Sequence, residues 1–299
     1  MLKKTHQLTG HNGSIFALSP TESDRYFLSG AGEGWVVRWD LDQPELGKLV
    51  AKVETQIFAL HYLASENKVV VGNMNGGVHW VDLENPDNTI NVAHHKKGVF
   101  AILEIGDQVL TAGGQGMLTR WDKRSGKSID SLRVSHESIR ALAHNPVQGE
   151  LAVGASDNAI YILDAESLAV KQVLADAHDN SVFALCYSPD GELLFSGGRD
   201  AHLKVWDTQA AYIRLSSQPA HLFTINEIVF HPNGQYVATA SRDKNIKIWD
   251  AQSFQLLKVL ESYRDNGHLN SVNTLLWLGH RNCLISGSDD RSLILWEGL

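Results

Sequence analysis

The chain has 299 residues, 43% of them hydrophobic and 20% charged, with few prolines, which excludes a disordered chain and supplies ample material for a packed core. Thirty-four acidic residues against 26 basic ones give a formal charge of −8, so the molecule as a whole is no nucleic-acid or anionic-membrane binder and any basic site must be local. Only Cys186 and Cys283 are present, each in an apolar run, which excludes a disulfide framework and fits a reducing compartment, the cytoplasm.

The N-terminal stretch MLKKTHQLTGHNGS has no apolar segment behind its lysines, and no run of about 18 apolar residues follows, so neither signal peptide nor membrane span is expected. From there the chain repeats. SGAGEGWVVRWD (29–40), TAGGQGMLTRWD (111–122), SGGRDAHLKVWD (196–207), TASRDKNIKIWD (239–250) and SGSDDRSLILWE (286–297) are versions of one stretch. VGNMNGGVHWVD (71–82) and VGASDNAIYILD (153–164) are degraded copies with Val81 and Leu163 in the tryptophan position. Each copy is preceded by a short apolar run headed by Ile15, Ile57, Val99, Ile139, Val182, Ile225 or Val272. The heads recur every 40 to 47 residues or so, the period of a solenoid or propeller.

Within a repeat the head strand leads to a turn such as SPDG or HPNG, a second apolar run, a Gly/Asp turn, the run ending in Trp-Asp, and a fourth run such as LAVKQVL or FQLLKVL. Four strands joined by turns form a meander. Runs such as SVFALCY and SLILW are apolar at successive positions, so both faces of each sheet are covered, and neighbouring sheets must do the covering. The expected fold is all-β: a seven-bladed β-propeller of four-stranded antiparallel blades, occupying residues 1–299 as a single domain. The seventh repeat has no fourth strand after Trp296, and Lys3–Leu8 precedes Gly10-His11 as LLKVL precedes Gly267-His268. The N-terminal strand is therefore expected to complete the last blade and close the ring, covering an open sheet edge.

These motifs resemble the WD-repeat β-propeller family over essentially the whole chain. The resemblance implies a buried tetrad in each blade: a histidine before the first strand, a Ser/Thr in the second, an aspartate in the turn before the third and the tryptophan in the third. His178, Ser196, Asp200 and Trp206 match it, as do His221, Thr239, Asp243, Trp249 and His268, Ser286, Asp290, Trp296. His11, Ser29, Glu33 and Trp39 match in part, with a carboxylate one methylene too long, and His95, Thr111, Gln115 and Trp121 in part. In the fourth repeat Asp157 is left with His136 as a candidate partner, while the second has Val53, Val71 and Val81 at these positions and keeps only Asn75 polar.

No catalytic residue, metal ligand or cofactor motif emerges. The fourteen histidines show no zinc-site spacing, and Gly30–Gly34 leads into a strand rather than the helix N-terminus a phosphate loop needs. The Asp-His-Ser sets imitate a catalytic triad in composition but recur from blade to blade, as structural hydrogen bonds do, and no nucleophile elbow accompanies them. The positions of interest flank the strand heads, which relatives of this fold expose around the channel mouth. Phe16, Phe58, Phe100, Arg140, Phe183, Asn226 and Asn273 follow the heads. Gly32, Met74, Gly114, Ser156, Arg199, Arg242 and Asp289 precede the tetrad acid or its substitute, and the insertion ESYRDNGH adds Tyr263 and Arg264 to the same face. Aromatic and arginine side chains are the types enriched in interface hot spots, and an arginine group favours a carboxylate- or phosphate-bearing partner. The competing explanation makes the phenylalanines packing between blades and the arginines a solvated rim. The expected function is a non-catalytic protein- or peptide-binding scaffold, its partner acidic or phosphorylated, with no nucleic acid or membrane. The rival is an enzyme or small-molecule binder using the central channel, to be recognised by a deep pocket with convergent titratable groups.

Overall fold

The computed structural model describes residues 2–298. Its strands pair into seven four-stranded antiparallel sheets, six of them meanders in chain order. The seventh takes its outer strand from the opposite end of the chain, with Lys3–Leu8 pairing with Leu293–Glu297 in the register Lys4↔Trp296 and Leu8↔Leu293. Blade 7 is thereby completed by the N-terminal strand. Leu2 is fully buried in one cluster with Trp277 and Trp296, and its carbonyl accepts from Lys258 Nζ of blade 6.

All seven head residues are wholly buried, each against the blade before it. A β-carbon added at Gly197 would stand 2.6 Å from Ile225 Cγ2, and one at Gly287 2.7 Å from Ile15 Cγ2 across the closing seam. This contact explains the small residue after the Ser/Thr in the repeated stretch: the second strand must let the next blade's branched head approach its backbone. In blades 3 and 6 the equivalents are Ala112 and Ala240.

Every inner strand slips register just after its head, at Ile15/Ala17, Ile57/Ala59, Val99/Ala101, Ile139/Ala141, Val182/Ala184, Ile225/Glu227 and Val272/Thr274. The skipped residue has no ladder partner, and a β-bulge of this kind re-aims a side chain. The skipped residues are Phe16, Phe58, Phe100, Arg140, Phe183, Asn226 and Asn273, and all seven line the central channel.

Candidate binding face at the channel mouth

The polar sets that hold the mouth loops vary from blade to blade. In blade 5 the indole N–H of Trp206 donates to Ser196 Oγ (2.9 Å), the hydroxyl to His178 Nε2 (2.8 Å), and His178 Nδ1–H to Asp200 (3.0 Å), which also accepts from Asp179 N–H (3.0 Å). Burial disfavours the Asp200 carboxylate, yet the His178 hydrogen bond and charge and the backbone donors outweigh it and hold its pKa at about 2. Blades 6 and 7 repeat the geometry, with His221–Asp243 and His268–Asp290 both at 2.9 Å.

Blade 1 corrects the expectation of a partial set. Glu33 Oε1 reaches His11 Nδ1 at 2.5 Å and its Oε2 accepts from Gly13 N–H at 2.8 Å. The longer side chain bonds two residues beyond the histidine, where the aspartates of blades 5 to 7 bond one beyond, and a β-carbon at Gly13 would stand 2.7 Å from Glu33 Oε2. In blade 3 Thr111 joins His95 and Trp121 at 2.8 Å each, but Gln115 turns to Lys96 N–H. His95 Nδ1 is left buried without a partner, and burial, with the neighbouring His94, pushes its pKa down to about 4.

In blade 4 the partner of Asp157 is Ser135 (2.6 Å), with Tyr161 on the same oxygen at 2.6 Å, while His136 is exposed. The serine stands in the histidine position and its shorter reach is met by the tyrosine. Blade 2 is less apolar than its valines imply. Asn73 donates to Glu54 (2.7 Å) and to His79 Nε2 (2.8 Å), and His79 Nδ1–H donates to Asn91 (2.6 Å). Asn75 enters only through its backbone N–H, bonded to Asn73 Oδ1. Asn73 and His79 lie two positions from the tetrad sites Val71 and Val81, and Glu54 one from Val53, so a reading aligned on those sites passes over them.

Seven equivalent backbone bonds tie the loop before each inner strand to the turn carrying the tetrad acid, among them Gly32 N–H to Ser14 O, Arg199 N–H to Ser181 O and Arg242 N–H to Thr224 O. The two sets of loops therefore share one face. Within the channel, Phe16 and Phe58 meet edge to face with centroids 5.2 Å apart, and Phe58 and Phe100 lie 5.5 Å apart. Arg140 Cζ stands 4.1 Å from the Phe100 ring centre and 5.2 Å from that of Phe183. These five residues line one wall of a space of about 440 Å³. The four phenylalanines are half-buried, open to the channel rather than sealed between blades.

Asn226 and Asn273 serve as latches: Asn226 Nδ2 donates to Val272 O (2.8 Å), and Asn273 Nδ2 to Ile15 O (3.0 Å) of the next blade and to Asp289 (2.8 Å). Arg199 and Arg242 are exposed. With Arg140 they form no ion pair among the described residues, whereas Arg25–Asp40, Arg38–Glu22, Lys123–Glu104 and Arg281–Glu297 are paired elsewhere. Burial and the charge of Arg199 both lower the Arg140 pKa. Tyr263 is 98% exposed, while Arg264 is turned to Val259 O. The sequence reading missed Leu222 (82% exposed), Phe223 (58%) and Leu269 (68%). The signal was an apolar residue, Leu222 or Leu269, just after a tetrad histidine, with Phe223 one place further, where blades 1 and 5 have Asn12 and Asp179. Among the described residues no three His, Cys, Asp or Glu side chains converge as a metal site, and no helix is long and apolar enough to cross a membrane.

Fold and face together define a seven-bladed β-propeller with an open channel mouth. The chain belongs to the WD domain, G-beta repeat family, whose profile matches residues 2–40, 170–207, 213–250 and 255–297, more than half of the sequence. The long unmatched stretch, 41–169, carries blades 2 to 4, whose polar sets depart most. Curated relatives include eukaryotic translation initiation factor 3 subunit I of Drosophila grimshawi, 24% identical over 53% of each chain. Another is human THO complex subunit 6, 26% identical over 45% of this chain and 42% of that protein. The chain thus spans about half the length of the curated relatives it matches. The crystal structure of the WD40 β-propeller domain of Doa1 superposes with a TM-score of 0.87 at 16% identity, covering 100% of this chain and 97% of that one, a likeness of fold.

Proposed function

We propose that this propeller is a non-catalytic protein- or peptide-binding scaffold, the whole chain acting as one domain, with its partner docked on the channel-mouth face. Three arginines without carboxylate partners among the described residues, Arg140, Arg199 and Arg242, carry this reading, because unpaired guanidinium groups, that of Arg140 stacked on Phe100 and Phe183, favour an acidic or phosphorylated segment. Relatives named as subunits of translation-factor and THO complexes support a role in assemblies. The free thiols of Cys186 and Cys283, both raised to about 12 by burial, suit a reducing cytoplasm.

The test is affinity capture from native lysate. Arg199→Glu with Arg242→Glu should abolish recovery of the partner with the thermal midpoint unchanged, since neither side chain belongs to a tetrad. Capture by wild type should weaken with salt, while Phe100→Ala should weaken it with little salt dependence, because exposed charges are screened and apolar burial is not. Full recovery by the double-glutamate variant would sink the proposal.

A further inference from the structure

The residue two places after each head is Ala17, Ala59, Ala101, Ala141 and Ala184 in blades 1 to 5 and Thr274 in blade 7, but Glu227 in blade 6. Glu227 borders the same channel cavity as the bulged residues and is half-buried. A carboxyl group thus stands where the other blades carry a small side chain. Among the described residues no side chain hydrogen-bonds it and no cation pairs with it; the Ile228 backbone N–H is its hydrogen-bond donor. The groups packed around it carry no compensating charge. Cys186 on the preceding blade is a neutral thiol, its pKa raised to about 12 mainly by burial. On the following blade stand Thr274 and Asn273, the latter committed to Ile15 O and Asp289. Burial raises the Glu227 pKa to about 8, which favours the protonated acid at neutral pH.

Arg140 lines the same space of about 440 Å³ and likewise lacks a counter-charge, its guanidinium bonded only to Ser156 Oγ and stacked on Phe100 and Phe183. The two groups of opposite potential charge make no pair with each other. Uncompensated charge out of bulk water is costly, and the cost is relieved by a ligand that supplies both partners. We propose that the channel binds a small zwitterion of the ω-amino-acid type, its carboxylate on Arg140, its ammonium on Glu227 and its methylene stem against the phenylalanine wall. Phe16, Phe58 and Phe100 offer that stem apolar contact and the ammonium an aromatic face. No covalent step is involved.

Binding the ammonium favours the ionised form of Glu227 and so expels its proton. Affinity should fall about tenfold for each pH unit below 8 until the liganded acid itself protonates. The full chain would be titrated by NMR with glycine, γ-aminobutyrate and ε-aminohexanoate, with hexanoate and hexylammonium as single-charge controls, and by calorimetry at pH 7 in two buffers of different ionisation heat. At least one zwitterion should bind roughly tenfold or more tighter than either control and release close to one proton. Glu227→Ala restores the alanine of five other blades, so it should fold normally while losing both the pH dependence and at least about tenfold in affinity. Arg140→Leu should weaken the zwitterion and leave hexylammonium unaffected. Arg242→Glu alone, which leaves Arg199 and Arg140 in place, should retain zwitterion binding whatever happens to the protein partner, which separates this inference from the scaffold reading. Absence of zwitterion binding, equal binding of a single-charge control, or pH dependence surviving in Glu227→Ala would each overturn it.

Discussion

At the scale of single residues, the differences between blades follow from whether a buried polar group keeps its partner. Asp243 holds His221 and the Leu222 N–H, so Asp243→Ala orphans both and should cost about 1–3 kcal/mol. Asn75→Ala should cost far less, because that side chain takes no part in the blade 2 network. Equal urea midpoints for the two variants would contradict the assignment, and Asn73→Ala should resemble the first. His95 sets a pH dependence. Its folded pKa of about 4 lies below the ordinary value of 6.5, so the unfolded chain takes up this proton first as pH falls. Stability from this group is full above about 6.5 and is lost down to about 4, roughly 3 kcal/mol in all. Denaturation midpoints measured across that interval should fall more steeply for wild type than for His95→Gln.

At the scale of the blade, the inner strand serves three purposes at once. Its head packs into the preceding blade, its bulged residue faces the channel, and the asparagines in blades 6 and 7 bond the carbonyl of the following head. The second strand must stay small to allow this. Gly197→Val would drive a β-carbon against Ile225 and should lower stability by about 1–3 kcal/mol through overpacking, seen as a reduced denaturant midpoint with an unchanged slope. The same substitution at Gly234, a turn glycine whose added β-carbon meets nothing closer than 3.6 Å, lacks that steric clash and would be penalised through its positive φ of 74° alone.

At the scale of the whole molecule, the ring is held shut without a covalent bond by Lys3–Leu8 on the edge of blade 7. Removing residues 1–9 would bare the Leu293–Glu297 edge, strip Leu2 from its cluster with Trp296 and free Lys258 from its carbonyl. The thermal midpoint should drop well beyond the ~2–4 °C expected of each kcal/mol lost; an unchanged midpoint would show that the strand adds nothing to closure. The strands, the blade number, this closure and the tetrads of blades 5 to 7 were legible in the sequence because each depends on short-range spacing that recurs with the repeat. Glu33 completing its set through Gly13, Ser135 and Tyr161 meeting Asp157, and Asn73 joining Glu54 to His79 were not, since substitutes found a few positions away are visible only once the strands are paired. The channel shows the same division. Phe16, Phe58, Phe100, Arg140 and Phe183 could be named from their places after the heads, but that a bulge opens them to the channel, and that Arg140 and Glu227, neither of them ion-paired among the described residues, share one cavity, was decided by tertiary structure, because residues from different blades meet only when seven sheets close around an axis.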